Sequence, residues 1–242
     1  MTPVHTWMTY NWQASLTTLL LTVGLVALGR FLLFKVPAFA KTRNHNRQAN
    51  RLKIKTPKYP GRLNSSHKVA FFTYLVFVIA ILPFIATFQP QPVWQMLLDV
   101  FVILMVYDFF YYLMHRFLFH GQGYFRQVHA VHHQARKTNL TSIDALLLHP
   151  WEAFLGNALY IVVTVAFCVA VGRGLHVASL IISILIYTQL NQINHVHFPE
   201  KRFPQKLLHW IGDKHSLHHI DMHHGNYATI TLLFDKLFGT FE

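Results

Sequence analysis

Apolar residues run along this chain in long blocks, without the two-residue period of a half-buried strand or the 3.6-residue period of an amphipathic helix. Residues 14–28 and 69–88 carry no charged side chain, nor do residues 153–171 and 177–193. Residues 93–114 carry only Asp99 and Asp108. A bilayer core about 30 Å thick needs roughly 20 helical residues to cross it. The blocks predict an all-α, multi-pass transmembrane bundle of five spans, or four if one of the last two only re-enters. The polar stretch 41–68, with Pro57, Pro60, Gly61 and Ser65–Ser66, reads as a loop between spans and not as a second domain. Residues 1–242 are therefore expected to form a single integral-membrane domain.

Composition supports this. The chain is 53% hydrophobic and only 12% charged, too apolar for an ordinary soluble domain. Its formal net charge of +12 is uneven along the chain. Residues 41–68 hold nine Lys/Arg and no Asp or Glu, while no Lys or Arg precedes the first span. Such asymmetry orients membrane proteins with the basic loop inside. The 41–68 loop, residues 115–150 and everything after residue 194 are then expected on the cytoplasmic side. The positive charge suits anionic lipid head groups and gives no reason to expect a nucleic-acid partner. Trp7, Tyr10, Trp12 and Trp94 would mark the outer interface, and Trp151 and Trp210 the inner one. A lone cysteine, Cys168, can form neither an internal disulfide nor a cysteine-ligated cluster.

The histidines change the picture from a membrane protein to a metal site. There are 18, and the run His-x-x-His-His occurs twice, as HAVHH at 129–133 and HSLHH at 215–219. Helical steps of three and four return to one face, so each run projects three imidazoles into one arc. Two such runs facing each other supply His129, His132, His133, His215, His218 and His219 to one volume, and His115, His120 and His195 can close the cage. Neutral imidazole suits zinc, copper, iron and nickel. The ligand number exceeds what one tetrahedral ion needs and argues for two metal ions. In the tail an overlapping register, His219 with His223 and His224, competes with His215–His219. The repeated spacing favours the latter, and His149, His197, His223 and His224 are left without a role.

Carboxylates are scarce, nine in all. No Glu-x-x-His, His-Glu-x-x-His or Gly-x-Ser-x-Gly run is present, which argues against a carboxylate-bridged bundle, a zincin protease and a serine hydrolase. Asp108 lies within a span, seven residues before His115 and on its helical face. An intramembrane acid usually has a task, and here the expected one is to orient a ligand imidazole.

These stretches together resemble the fatty acid hydroxylase/sterol desaturase superfamily. The resemblance runs from DFFYYLMHRFLFH (108–120) through FRQVHAVHH (125–133) and LLLHPWE (146–152). It continues in HSLHH (215–219), GNYA (225–228) and the ending FDKLFGTFE (234–242). Phe234, where tryptophan is usual, and the added His223–His224 pair depart from the pattern without removing a box residue. The resemblance implies a histidine-rich helical cap on the cytoplasmic side of the bundle, holding two iron ions. It implies iron ligation by His115, His120, His129, His132, His133, His215, His218 and His219, with His195 matching a further family histidine. Zinc can replace iron in an overexpressed sample.

The implied reaction is O2-dependent hydroxylation or desaturation of a membrane lipid, a sterol or fatty acyl chain among the candidates. Breaking an unactivated C–H bond needs an oxidant that no side chain supplies. An apolar cavity between the spans is expected to hold the substrate. The chain has no flavin, nicotinamide or haem motif. Electrons are expected from a separate donor, cytochrome b5-like or of the ferredoxin/reductase kind. The membrane would be a bacterial inner membrane or the endoplasmic reticulum. A membrane metal transporter and a zinc-dependent membrane hydrolase are the alternative readings.

Overall fold

Helix α1 (Trp12–Leu33) opens the bundle in a computed structural model that describes residues 8–136, 141–199 and 202–242; Trp7 falls outside them. Asn11 caps α1 by accepting from the Ala14 N–H. Most of its apolar side chains point outward, with Leu20, Val23 and Phe31 at 60–61% exposure. Such a surface suits contact with lipid tails and not with water. Helix α2 (Pro37–Ile54) follows, then α3 (Lys58–Val76), which continues as one rod to Ile85. Residues 41–54 and 58–68 of the expected loop are therefore helical, with a turn at 55–57 between them. Pro37 starts α2 at a position where its missing N–H is harmless. Pro60 likewise lies in the first turn of α3.

In α3, residues 77–81 widen to an i→i+5 turn, with Leu82 N–H bonded to Phe77 O. Pro83, two residues beyond, can donate nothing to Ile79 O. The start of α1 and the residues before it fill the gap: Tyr10 OH donates to Ile79 O at 3.1 Å and Ser15 Oγ to Val78 O at 2.6 Å. Two short strands, β1 (Ala86–Thr87) and β2 (Leu175–His176), then pair in parallel and tie together the turns at this end of the bundle.

Helix α4 (Val93–Leu113) runs on in helical form to Phe119, α5 spans Tyr124–Ala130, and α6 spans Pro150–Val171. Gly172 closes α6 in the left-handed region at φ +65°. Helix α7 (Val177–Ile193) is shorter, about 25 Å at 1.5 Å per residue. Among the described residues, α1, α3, α4 and α6 are long and apolar enough to cross a membrane, and α7 is a shorter apolar helix beside them. Helices α8 (Gln205–His218) and α9 (Leu233–Leu237) belong to a cap at the end opposite β1–β2.

Tyr107, Tyr160 and Tyr187, from α4, α6 and α7, are buried together in the core. Tyr160 and Tyr187 stack at 4.5 Å, and Tyr160 OH pairs with Ser183 Oγ at 2.7 Å. Asp99, for which the sequence suggests no role, receives both Arg173 terminal nitrogens at 2.6 and 2.9 Å near the β1–β2 end. A bidentate pair of this kind satisfies both oxygens of a buried carboxylate.

Candidate metal centre

His115 and His120 are five residues apart, which on a regular α-helix would leave them about 140° apart. The last turns of the α4 rod, 114–119, are instead π-helical, and His120 N–H bonds to His115 O at 3.0 Å. The wider turn brings positions five apart nearly into line. Both side chains join one group of imidazoles with His129, His133 and His218. A second group holds His132, His195, His215 and His219. All nine histidines singled out from the sequence thus fall in two clusters that could each hold a metal ion. Within each cluster the candidate ligand atoms lie within 4.8 Å of one another.

Each His-x-x-His-His run is divided between the clusters. The outer pair of 129–133, His129 and His133, points to the first, and its middle member His132 to the second. In 215–219 the assignment is reversed: His215 and His219 serve the second cluster and His218 the first. The two runs clasp each other, each giving an i,i+4 pair to one cluster and its i+3 side chain to the other. Local geometry allows this because α5 gives way to a 3-10 turn at His132–Gln134 and α8 ends at His218.

Ring orientation fits a metal. Six of the nine Nδ1 atoms meet an oxygen: His115 with Tyr227 O (2.6 Å), His120 with Met222 O (3.0 Å), and His129 with Glu152 Oε1 (2.7 Å). His195 meets Asn191 O (3.2 Å), His218 meets Gly225 O (2.8 Å) and His219 meets Ala135 O (2.7 Å). Donation from Nδ1 fixes the tautomer and leaves Nε2 as a bare lone pair. Yet His115 Nε2 and His129 Nε2 face each other at 3.0 Å. Two lone pairs so placed repel unless a cation lies among them. The buried Nε2 of His120 has no hydrogen-bond partner among the described residues.

Burial holds the imidazoles in the neutral form that ligation requires. It lowers His120 and His195 to about 4 and His132 and His218 to about 3. It also drives His129, His215 and His219 well below the ordinary 6.5, with repulsion from neighbouring imidazoles adding to the effect.

Among the described residues, the carboxylate that meets an imidazole of the two clusters is Glu152, not Asp108. Asp108 accepts from the backbone N–H groups of Thr229 (3.0 Å), Ile230 (2.8 Å) and Thr231 (2.9 Å) and from Thr231 Oγ1 (2.8 Å). Both its oxygens are filled by the tail, so it pins that segment and orients no ring directly. Glu152 sits in the first turn of α6, within the HPWE run, where His149 caps the helix by accepting from Trp151 N–H at 3.2 Å. The run itself was the available signal for Glu152.

The GNYA segment supplies carbonyls. Gly225 O and Tyr227 O hold His218 and His115. Gly225 is required because a Cβ there would meet Thr240 O at 1.9 Å. Asp235 anchors the segment by accepting from Tyr227 N–H (2.8 Å) and Ala228 N–H (2.9 Å). His223 is exposed, and His224 pairs with Glu242 at 2.5 Å; neither joins a cluster. His197 lies against His45.

A cavity of about 230 Å³ reaches the clusters from between the spans, bordered by His115, His132, His195 and His215. Its walls are mixed and not purely apolar. Asn157 Oδ1 accepts from Tyr74 OH at 3.0 Å and from Tyr187 OH at 3.1 Å, and all three side chains line it.

The chain matches no curated protein and no solved structure. Residues 100–240 match the family described as fatty acid hydroxylase. That span holds every histidine of both clusters, Glu152 and the tail that orients them. This chain, a multi-pass membrane protein of the lipid hydroxylase/desaturase type, therefore belongs to the fatty acid hydroxylase family, within the fatty acid hydroxylase/sterol desaturase superfamily.

Proposed function

We propose that the protein is an O2-dependent oxygenase or desaturase of a membrane lipid, working through two irons held by the nine clustered histidines. The observation that carries this is the pair of imidazole clusters with Nε2 atoms turned inward, next to a cavity that opens between membrane-spanning helices. His115, His120, His129, His133 and His218 would hold one iron, and His132, His195, His215 and His219 the other. When bound, the irons supply the oxygen activation that breaks an unactivated C–H bond.

The chain's own groups prepare the place. Glu152 and the carbonyls of Ala135, Asn191, Met222, Gly225 and Tyr227 fix the rings. Tyr74, Tyr107, Tyr111 and Tyr187 wall the cavity beside the clusters and limit water at the reacting carbon. A lipid chain would enter this cavity from the bilayer. The cap faces the cytoplasm in this reading, supported by the nine Lys/Arg of residues 41–68, and a separate carrier delivers the electrons there.

The test is anaerobic iron loading of the purified full-length chain, followed by incubation with total membrane lipid, a chemical reductant and 18O2. Mass spectrometry should find a lipid gaining one 18O or losing two hydrogens, only when both iron and O2 are present. A zinc-loaded protein that converts lipid equally well without O2 would overturn the reading.

A further inference from the structure

Away from the histidines, a groove of about 570 Å³ lies between α2, the end of α1, the end of α7 and the side chains of Val196, Phe198 and Leu208. Four arginines line it: Arg30 from α1 and Arg43, Arg47 and Arg51 from α2. The last three recur every fourth residue and share one helical stripe. The neighbouring stripe, Thr42, Asn46 and Asn50, fastens α2 to the cap. Asn46 Nδ2 donates to His197 O at 2.9 Å, and Asn50 Nδ2 to Ser142 Oγ at 3.0 Å. Helix α2 is thereby set so that its arginine stripe borders the groove.

Like charges at i,i+4 destabilise a helix, and among the described residues no acidic side chain pairs with these. Among the described residues lining the groove none is Asp or Glu, and no ion pair involves Arg30, Arg43, Arg47 or Arg51. Arg43 instead lies over the Phe34 ring at 4.8 Å. Much of the remaining wall is apolar, with Leu33, Phe34, Phe39, Ile193, Val196 and Phe198, and Thr42, Asn46, Asn50, Ser142, Gln189 and Gln192 add polar groups. Asn50 adds a buried Oδ1 that meets no hydrogen-bond donor among the described residues.

Several cations, a hydroxyl acceptor and apolar walls at the end of a lipid-facing helix describe an amphiphile with an anionic, hydroxyl-bearing head. We infer that this groove binds one anionic phospholipid of the surrounding bilayer. Its phosphate lies among Arg30, Arg43, Arg47 and Arg51, its head-group hydroxyl at Asn50, and its chains along Leu33 and Phe34. Arginine suits phosphate through its planar array of donors. Gln192 borders both this groove and the cavity at the histidines, so the bound lipid would sit beside the mouth of the site and leave it open.

The test is native mass spectrometry of the full-length chain titrated with phosphatidylglycerol or with phosphatidylcholine of the same acyl chains. One phosphatidylglycerol per chain should be retained about 10-fold more strongly than phosphatidylcholine, a difference of about 1.4 kcal/mol. The triple variant Arg43→Gln/Arg47→Gln/Arg51→Gln should lose that preference. Lys55→Gln/Lys68→Gln/Lys206→Gln, which removes as much charge outside the groove, should keep it. Equal retention of the two lipids by the unaltered chain, or loss of preference in both triple variants alike, would overturn the site in favour of diffuse attraction. Displacement of phosphatidylglycerol by millimolar glycerol phosphate would show that the groove reads a soluble phosphate ester and would overturn the lipid assignment.

Discussion

His133 and His218 meet Nε2 to Nε2 at 3.1 Å, joining the outer member of one His-x-x-His-His run to the middle member of the other. Their immediate neighbours, His132 and His219, meet ring to ring at 4.6 Å in the second cluster. Adjacent residues of the sequence therefore serve different clusters. His132→Ala should spare the first cluster and His133→Ala the second, so each variant should keep about one metal per chain where the unaltered protein holds two. Elemental analysis after anaerobic iron loading checks this. Complete loss of metal from both variants would show that the clusters do not fill separately.

Glu152 accepts from His129 and among the described residues forms no other ion pair. Glu152→Ala should lower metal affinity or turnover by about 10–100-fold, as removal of groups that orient metal ligands commonly does. Glu152→Gln keeps an oxygen for Nδ1–H and should lose less. Equal losses in the two variants would assign the effect to the charge of Glu152 and not to the hydrogen bond.

Asp108 receives three backbone N–H groups and one hydroxyl. An asparagine presents an NH2 where one of its oxygens stood, so Asp108→Asn leaves buried donors facing a donor, at about 1–3 kcal/mol for an unsatisfied group. The strain falls on residues 229–231, just beyond the Tyr227 carbonyl that holds His115. Metal content and turnover should decline together, with faster hydrogen exchange at 225–231. Normal metal content with lost turnover would instead place Asp108 at the reacting centre.

Much of this was legible in the sequence because the signals are chemical. Uncharged blocks identify helices that tolerate lipid, and paired histidine runs identify a site that gathers imidazoles. What the sequence hid depends on backbone detail. Spacing alone puts His129, His132 and His133 in one arc, and only the 3-10 turn after α5 shows them parting. Spacing sets His115 and His120 apart, and only the π turn brings them together. Asp108 lay on the correct face of α4, yet a loop 121 to 123 residues further on claims it, and no local pattern announces such a contact. The basic stretch 41–68 looked like a loop because Pro57, Pro60 and Gly61 suggest breaks. Proline in the first turn of a helix is compatible with helix, and that is where the structure puts Pro60.

The tail offers two overlapping histidine registers, and the structure gathers only one. His215, His218 and His219 are buried within the clusters, while His223 is exposed and His224 is engaged with Glu242. His215→Ala and His218→Ala should each deplete metal and abolish turnover. His223→Ala and His224→Ala should retain most of both. The opposite ranking in paired metal and activity assays would move the site to the second register.

Acid should unfold the metal-free protein earlier than its net charge suggests. A solvated imidazole takes its proton near 6.5, whereas His120 and His195 in the fold wait until about 4, and His132 and His218 until about 3. Between those limits the unfolded chain binds more protons than the folded one, so stability falls as pH falls through this window and is undiminished above about 7. Each such histidine adds a slope of up to roughly 1.4 kcal/mol per pH unit. The melting temperature of the metal-free chain in detergent should thus be flat from pH 8 to 7 and drop steeply from pH 6.5 toward 4. Bound metal competes with protons for the same Nε2 atoms, so loading with iron or zinc should raise the curve most near pH 7 and least near pH 5. A metal-free melting temperature that stays level down to pH 5 would mean that the imidazoles reach solvent and titrate normally, which the closed clusters described above do not allow.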